Sequence, residues 1–173
     1  RDNLPQLADR LFLTDGGIET TLIYQDGFNL PFFAAFDLLK DEAGLAGLRR
    51  YYQPYLEVAL RQRLGIVLET PTWRANPDWA EKIGYRIADL DGIQRRSVDL
   101  LLGLRAEYET PSTPVVVSGC IGPRGDGYVV AAPGSVDEAM AFHLPQATSL
   151  RDGGVDMLSA VTMVEFVDIR PLP

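Results

Sequence analysis

The chain has 173 residues, 46% hydrophobic and 23% charged, a composition that builds one globular domain and excludes a collagen, a disordered tail and a disulfide scaffold. Sixteen Lys and Arg against 24 Asp and Glu give a net charge of −8, which repels phosphate backbones and argues against nucleic-acid binding. Cys120 is the only cysteine, so an intrachain disulfide and an all-cysteine zinc site are both excluded, and a cytoplasmic setting is expected. No apolar run approaches the roughly 18–20 residues of a membrane helix, so no membrane role is expected. The opening Arg1-Asp2-Asn3-Leu4 lacks the apolar stretch of a signal peptide and an initiator Met, and a longer N-terminus is expected.

The first apolar run, Leu11 to Thr14, reads as a short strand and leads into Asp15-Gly16-Gly17 and a short helix over Ile18 to Tyr24. Gln25 to Asp37 is loop-like. From Asp41 to Arg63, Leu45, Leu48, Tyr52, Tyr55, Leu56, Ala59 and Leu60 recur at helical spacing, which predicts an amphipathic helix. Pro54 lies inside it and predicts a kink or break near Tyr52. Gly65 to Thr70 reads as a buried strand. Asn76 to Gly84 reads as a short helix with Asn76 as N-cap and Pro77 at the first helical position. Asp89 to Tyr108 is a helix, and Pro114 to Gly119 a third strand. Cys120 to Gly134 is a Gly/Pro-rich loop. Ser135 and Glu138 form a capping box opening a helix that runs towards Asp152 and is strained or kinked at Pro145. Val155 to Val161 is the fourth strand.

Strand and helix therefore alternate, which predicts an α/β fold with a parallel sheet. Residues 1–173 form one domain. After Thr162 the pattern fails, and 163–173 is expected to be a truncated or divergent tail. Ligands of parallel α/β folds bind beyond the carboxyl ends of the strands. Those ends carry Asp15, Gly16 and Gly17, then Glu69 and Thr70, then Gly119 and Cys120, then Val161 and Thr162. Asp15 reads either as a helix N-cap or as a pocket carboxylate for a cationic group. Glu69 reads either as a rim carboxylate paired with Arg74 or a backbone amide, or as a pocket acid. Cys120 reads as a small buried side chain. His143, the only histidine, reads as a packing residue on its helix.

Taken in order, these segments resemble a family. Leu13-Thr14-Asp15-Gly16-Gly17-Ile18-Glu19-Thr20, Glu69-Thr70-Pro71-Thr72-Trp73-Arg74-Ala75, Ser118-Gly119-Cys120-Ile121-Gly122-Pro123, and His143-Leu144-Pro145-Gln146 with Gly154-Val155-Asp156-Met157-Leu158 resemble the N-terminal half of a homocysteine S-methyltransferase domain. The resemblance implies about four of the eight βα units of a TIM barrel. It implies methyl transfer to the thiol of homocysteine or a related thiol, with a methyl donor and a thiol as small-molecule partners and a place in methionine biosynthesis. It implies zinc in the full-length family, held by cysteines of later strands that this chain lacks, so no metal ligand and no catalytic residue is expected here and the chain alone is expected to be inactive. As substrate-binding positions it implies Asp15, Gly16, Gly17, Glu69, Thr70, Thr72, Gly119 and Cys120. Val161 stands where the family carries an acid that holds the substrate amino group. The alternative is a non-catalytic half-barrel binding or assembly module. A half barrel leaves its outer strands unpaired and opens Phe12, Ile66, Leu68, Val116 or their alternating neighbours, so self-association is expected.

Overall fold

The computed structural model describes residues 3–129 and 134–164. Its four strands are β1 (Phe12–Thr14), β2 (Gly65–Glu69), β3 (Val115–Ile121) and β4 (Met157–Ala160). They lie side by side in sequence order, and each neighbouring pair is parallel. Parallel neighbours need long return connections, and helices supply them. Helices α1 (Ile18–Tyr24) and α2 (Glu42–Gln62) join β1 to β2. Helices α3 (Pro77–Ala80) and α4 (Leu90–Tyr108) join β2 to β3, and α5 (Val136–Gly153) joins β3 to β4. The result is a parallel α/β sheet, as the alternation predicts, and part of a (βα) barrel, as the resemblance implies. The loop before α2 is more ordered than its sequence suggests, with two 3-10 turns, Pro31–Phe33 and Ala35–Lys40.

Side chains alternate across a strand, and the register fixes which side each one takes. Leu13, Ile66, Leu68, Val115, Val117 and Ile121 face the helices and join one core with Leu48, Tyr52, Leu56, Val98, Leu101 and Leu150. Val67, Glu69, Val116, Ser118, Cys120, Met157 and Ser159 take the concave side. The expected opening of Ile66, Leu68 and Val116 is therefore not met, since all three are buried. Ile66 and Leu68 lie under the helices, on the opposite side of the sheet from Val116. The N-terminal 3-10 turn Pro5–Leu7 reaches the concave side, where Gln6 Nε2 lies 3.1 Å from Met157 Sδ.

The prolines do not break their helices. α2 is continuous through Pro54 and α5 through Pro145. Both prolines lie on exposed helix faces, where the carbonyl that each leaves without an amide donor can turn towards water. Asp41 caps α2 by accepting from Gly44 N at 2.8 Å. The capping box at Ser135 and Glu138 forms as expected. Asn76 occupies the N-cap position of α3, but its side chain makes no cap; Nδ2 instead donates to Pro123 O at 3.4 Å. The sequence expectation for 165–173 lies outside the described residues. Among the described residues, no helix is long and apolar enough to cross a membrane.

Candidate functional site at the strand ends

Beyond the carboxyl ends of the strands is a pocket of about 280 Å³, whose lining includes Asp15, Gly16, Gly17, Glu19, Glu69, Thr70, Cys120 and Val161. Trp73, Tyr128 and Thr162 complete its rim. A larger groove, about 580 Å³, lies between α4 and α5 and is lined mainly by apolar groups. The carboxylates that the sequence points to gather in the smaller one.

Asp15 does not cap α1. The N-cap is Gly17, held at φ +65° with no side-chain cap, a left-handed conformation that glycine adopts without a Cβ clash. Asp15 turns instead into the sheet end. Its Oδ1 accepts from Glu69 N at 3.1 Å and its Oδ2 from Tyr51 Oη at 3.1 Å. Burial raises its pKa to about 6, against the lowering effect of those two hydrogen bonds; the nearby Glu69 charge adds to the rise. Gly16 has open space where a Cβ would point, and its carbonyl accepts from Tyr55 Oη at 2.8 Å.

Glu69 does not pair with Arg74. Strand alternation aims its side chain to the concave side, where Ser159 Oγ of β4 donates to Oε1 at 2.6 Å. Ser118 and Ser159 hydroxyls lie 2.9 Å apart; with the Ser159 proton directed to Glu69, Ser118 is the donor of that pair. Arg74 lies between the rings of Trp73 and Trp79, its guanidinium 4.0 and 3.8 Å from their centroids, and Nη1 donates to Gly125 O. It thereby ties the loop after β3 to the loop after β2. Glu19 titrates above its ordinary range because it is buried.

Thr70 and Thr72 spend their hydroxyls on the backbone of β3. Cys120 N donates to Thr70 Oγ1 at 2.9 Å, and Thr72 Oγ1 donates to Cys120 O at 2.7 Å. Thr70 is then the donor of the 2.6 Å Thr70–Thr72 contact. Thr70 lines the pocket, whereas Thr72 is fully buried behind it. Gly119 points away from the pocket: a Cβ there would lie 2.8 Å from Leu158 and 3.1 Å from Leu150. Of the eight expected positions, the structure therefore brings six together and sets Thr72 and Gly119 outside. Cys120 is buried, and burial, then the Glu69 charge and hydrogen bond, push its thiol well up. It stays protonated at neutral pH and is a poor nucleophile. His143 is buried on the inner face of α5, edge-on to Phe142.

Apolar spacing alone does not single out Tyr51, and it marks Tyr55 only as a core-facing position. The available signal is a pair of tyrosines one helical turn apart on α2, the long helix between β1 and β2. Nor does apolar spacing single out Ser159, whose place on the concave side depends on the β3–β4 register.

Zinc is the metal that the resemblance brings with it. Among the described residues, no group of three or more His, Cys, Asp and Glu could hold a metal ion. A catalytic zinc site needs about three converging protein ligands, so the donor set among the described residues does not fit one.

The sequence profile of the homocysteine S-methyltransferase family matches residues 12–171. The homocysteine S-methyltransferase of Escherichia coli (strain K12) is 31% identical over 112 residues, covering 60% of this chain and 36% of the relative. The crystal structure of the Escherichia coli homocysteine methyltransferase MmuM in its oxidized form superimposes with a TM-score of 0.76 at 25% identity, over 96% of this chain and 59% of that one. Its metallated form gives a TM-score of 0.72 at 23% identity, over 92% and 56%, and supports the fold. The chain thus spans well under two thirds of the length of these relatives. With the profile running from β1 past β4, and the same parallel fold in the solved relatives, this chain belongs to the homocysteine S-methyltransferase family.

Proposed function

We propose that the whole protein containing this chain transfers a methyl group to the thiol of homocysteine or a related thiol, and that this chain supplies the pocket for the amino-acid end of that thiol substrate. The observation that carries the reading is the carboxylate pair Asp15 and Glu69, fixed side by side at the strand ends of a chain in this family. A homocysteine ammonium entering the pocket meets Asp15, whose proton is lost near pH 6. A bound cation favours the ionised carboxylate further. Val161 lines the same pocket without charge, so the carboxylates offered to the ammonium are Asp15 after β1, Glu19 of α1 and Glu69 of β2. Trp73 and Tyr128 give aromatic faces at the rim, suited to a cationic methyl donor of the sulfonium or ammonium class.

The reaction itself moves a methyl from a positively charged or otherwise activated atom to sulfur. The S–C bond forms as the donor's bond to that carbon breaks, and the thiol proton leaves to solvent. This chain contributes orientation and charge to that step. We place the protein in the cytoplasm, where a lone buried thiol such as Cys120 stays reduced. In the family, zinc would keep the substrate thiol ionised; this stretch lacks such a donor set, and we propose that it transfers no methyl group alone.

Two assays test the reading. The whole protein is incubated with L-homocysteine and, separately, sulfonium, quaternary ammonium and methyl-folate donors, and methionine is measured. Methionine from at least one donor is expected, with at least tenfold loss of homocysteine affinity in Asp15→Asn; absence of product with every donor overturns the proposed reaction. The isolated 173-residue chain is titrated calorimetrically with zinc and assayed in the same way. Submicromolar stoichiometric zinc binding or turnover above background overturns its proposed inactivity.

A further inference from the structure

Helix α2 presents three tyrosines to the strand ends. Tyr52 Oη donates to Glu69 O at 2.7 Å. Tyr51 and Tyr55 both address the loop after β1, and their protons can be counted. Tyr51 has a single O–H and two acceptors in reach, Asp15 Oδ2 at 3.1 Å and Gly16 O at 3.0 Å. Tyr55 Oη serves Gly16 O at 2.8 Å. Tyr51 is buried and packed against both neighbours, its ring 4.9 Å from Tyr52 and 5.4 Å from Tyr55. Its hydroxyl cannot swing away to solvent.

We propose that Tyr51 and Tyr55 are positioning residues that act as a hydrogen-bond relay: Tyr55 satisfies Gly16, which frees the Tyr51 proton to hold Asp15 as a carboxylate aimed at the pocket. The inference rests on the reading of Asp15 as the group that meets a substrate ammonium. When Asp15 takes up a proton, its new O–H donates to Tyr51 Oη, and the Tyr51 proton turns to Gly16 O. The relay therefore has two settings, and the charge on Asp15 selects between them. Burial holds the Tyr51 hydroxyl far above its ordinary range, so the relay moves protons between hydrogen bonds without a Tyr51 tyrosinate.

The other groups around Asp15 act against or beside the relay. Glu69 opposes its ionisation through charge and supports it through its amide, while burial opposes it most. Glu19 and Cys120 interact with Asp15 from α1 and β3, and Tyr52 from α2. Among these, Tyr51 is the side chain whose hydrogen bond favours the ionised form. Replacing its hydroxyl removes that support while leaving the ring that packs in the core.

The experiment is a carboxyl-carbon NMR titration of Asp15 in the 173-residue chain and in Tyr51→Phe and Tyr55→Phe, assigned by the signal lost in Asp15→Asn. Tyr51→Phe is expected to move the Asp15 midpoint up by about one pH unit, the effect of one lost hydrogen bond to a charge. Tyr55→Phe is expected to move it in the same direction by less, although Tyr55 does not touch Asp15, because Gly16 then competes for the Tyr51 proton. An unchanged midpoint in folded Tyr51→Phe overturns the relay. Should that variant not fold, an unchanged midpoint in Tyr55→Phe overturns it equally. L-homocysteine binding to the whole protein is measured by calorimetry over the same pH range. A loss of affinity that follows the Asp15 midpoint in each variant supports both the relay and the substrate reading. Midpoints that move as expected, with homocysteine affinity indifferent to them, leave the relay supported and overturn the substrate reading.

Discussion

Asp15 titrates near 6 in the folded chain, from an ordinary value of 3.8, because burial outweighs its two hydrogen bonds. The sign of the linkage follows. The folded state holds this proton more tightly than the unfolded state, so stability on this account rises as pH falls from about 6 towards 4 and is lowest above 6. A shift of this size corresponds to about 3 kcal/mol at neutral pH. Asn in the same place resembles protonated Asp: Oδ1 still accepts from Glu69 N, and Nδ2 donates to Tyr51 Oη while Tyr51 serves Gly16. Asp15→Asn is therefore expected to stabilise the chain by about 1–3 kcal/mol at pH 7, with the gain vanishing near pH 4. Urea unfolding at the two pH values checks this; a variant less stable than the parent at pH 7 contradicts it. On the proposed reading, homocysteine affinity of the whole protein is expected to fall in Asp15→Asn as stability rises, the trade expected of a charge held in place for a ligand. Asp15 was legible in the sequence as a group at a strand end, since the apolar run and the two glycines mark its place. Its partners were not, because Tyr51 lies 36 positions away and Glu69 54.

The elements that present these groups were largely legible. Apolar spacing located all four strands and the long helices to within a few residues, because burial of one face imposes a period on any sequence. Whether a proline breaks its helix depends on which face it takes, which sequence alone does not carry. Pro54 removes one amide from α2, yet the helix continues because the residue lies on an exposed face and the rest of the helix is anchored in the core. Leu48, Tyr52, Leu56 and Ala59 are fully buried along its inner side. Gly44 lets that anchoring begin, since a Cβ there would fall 2.0 Å from Leu38 O. The intact helix still lacks one hydrogen bond and still accommodates a pyrrolidine ring. Pro54→Ala restores an amide on the exposed face and is expected to raise stability by about 1–3 kcal/mol with an unchanged far-ultraviolet spectrum. A loss of stability would show instead that the proline shapes a bend that the tyrosine cluster needs.

For the whole molecule, sheet order leaves β1 and β4 each with one strand neighbour among the described residues. An unpaired strand edge offers amides and carbonyls to any extended partner. Leu158 and Val161 are partly exposed at the β4 side, and Leu11 beside β1 is more so. We propose that the isolated chain self-associates through these edges, which is also the property that the half-barrel assembly reading requires. Light scattering coupled to gel filtration is expected to give a mass above 19.1 kDa that grows with concentration. A monodisperse monomer across that range, without binding of an apolar dye, overturns the proposal. The concave side is less open than a bare half barrel suggests, because Val67 and Val116 are buried and the N-terminal turn reaches Met157.

Read without coordinates, the chain shows the alternation of strand and helix, the parallel sheet, the strand ends where the candidate pocket lies, and the family through four motifs in order. Each is written locally, in periodicity, turn residues and short segments. The three-dimensional packing alone shows that Asp15 serves the sheet end rather than a helix cap, that Glu69 reaches Ser159 rather than Arg74, and that Thr72 and Gly119 stand outside the pocket. Those outcomes depend on strand register and on which helix face meets the sheet. Register is set by the packing of the whole core, and a shift of one residue would turn Glu69, Ser118 and Ser159 from the concave side to the helices.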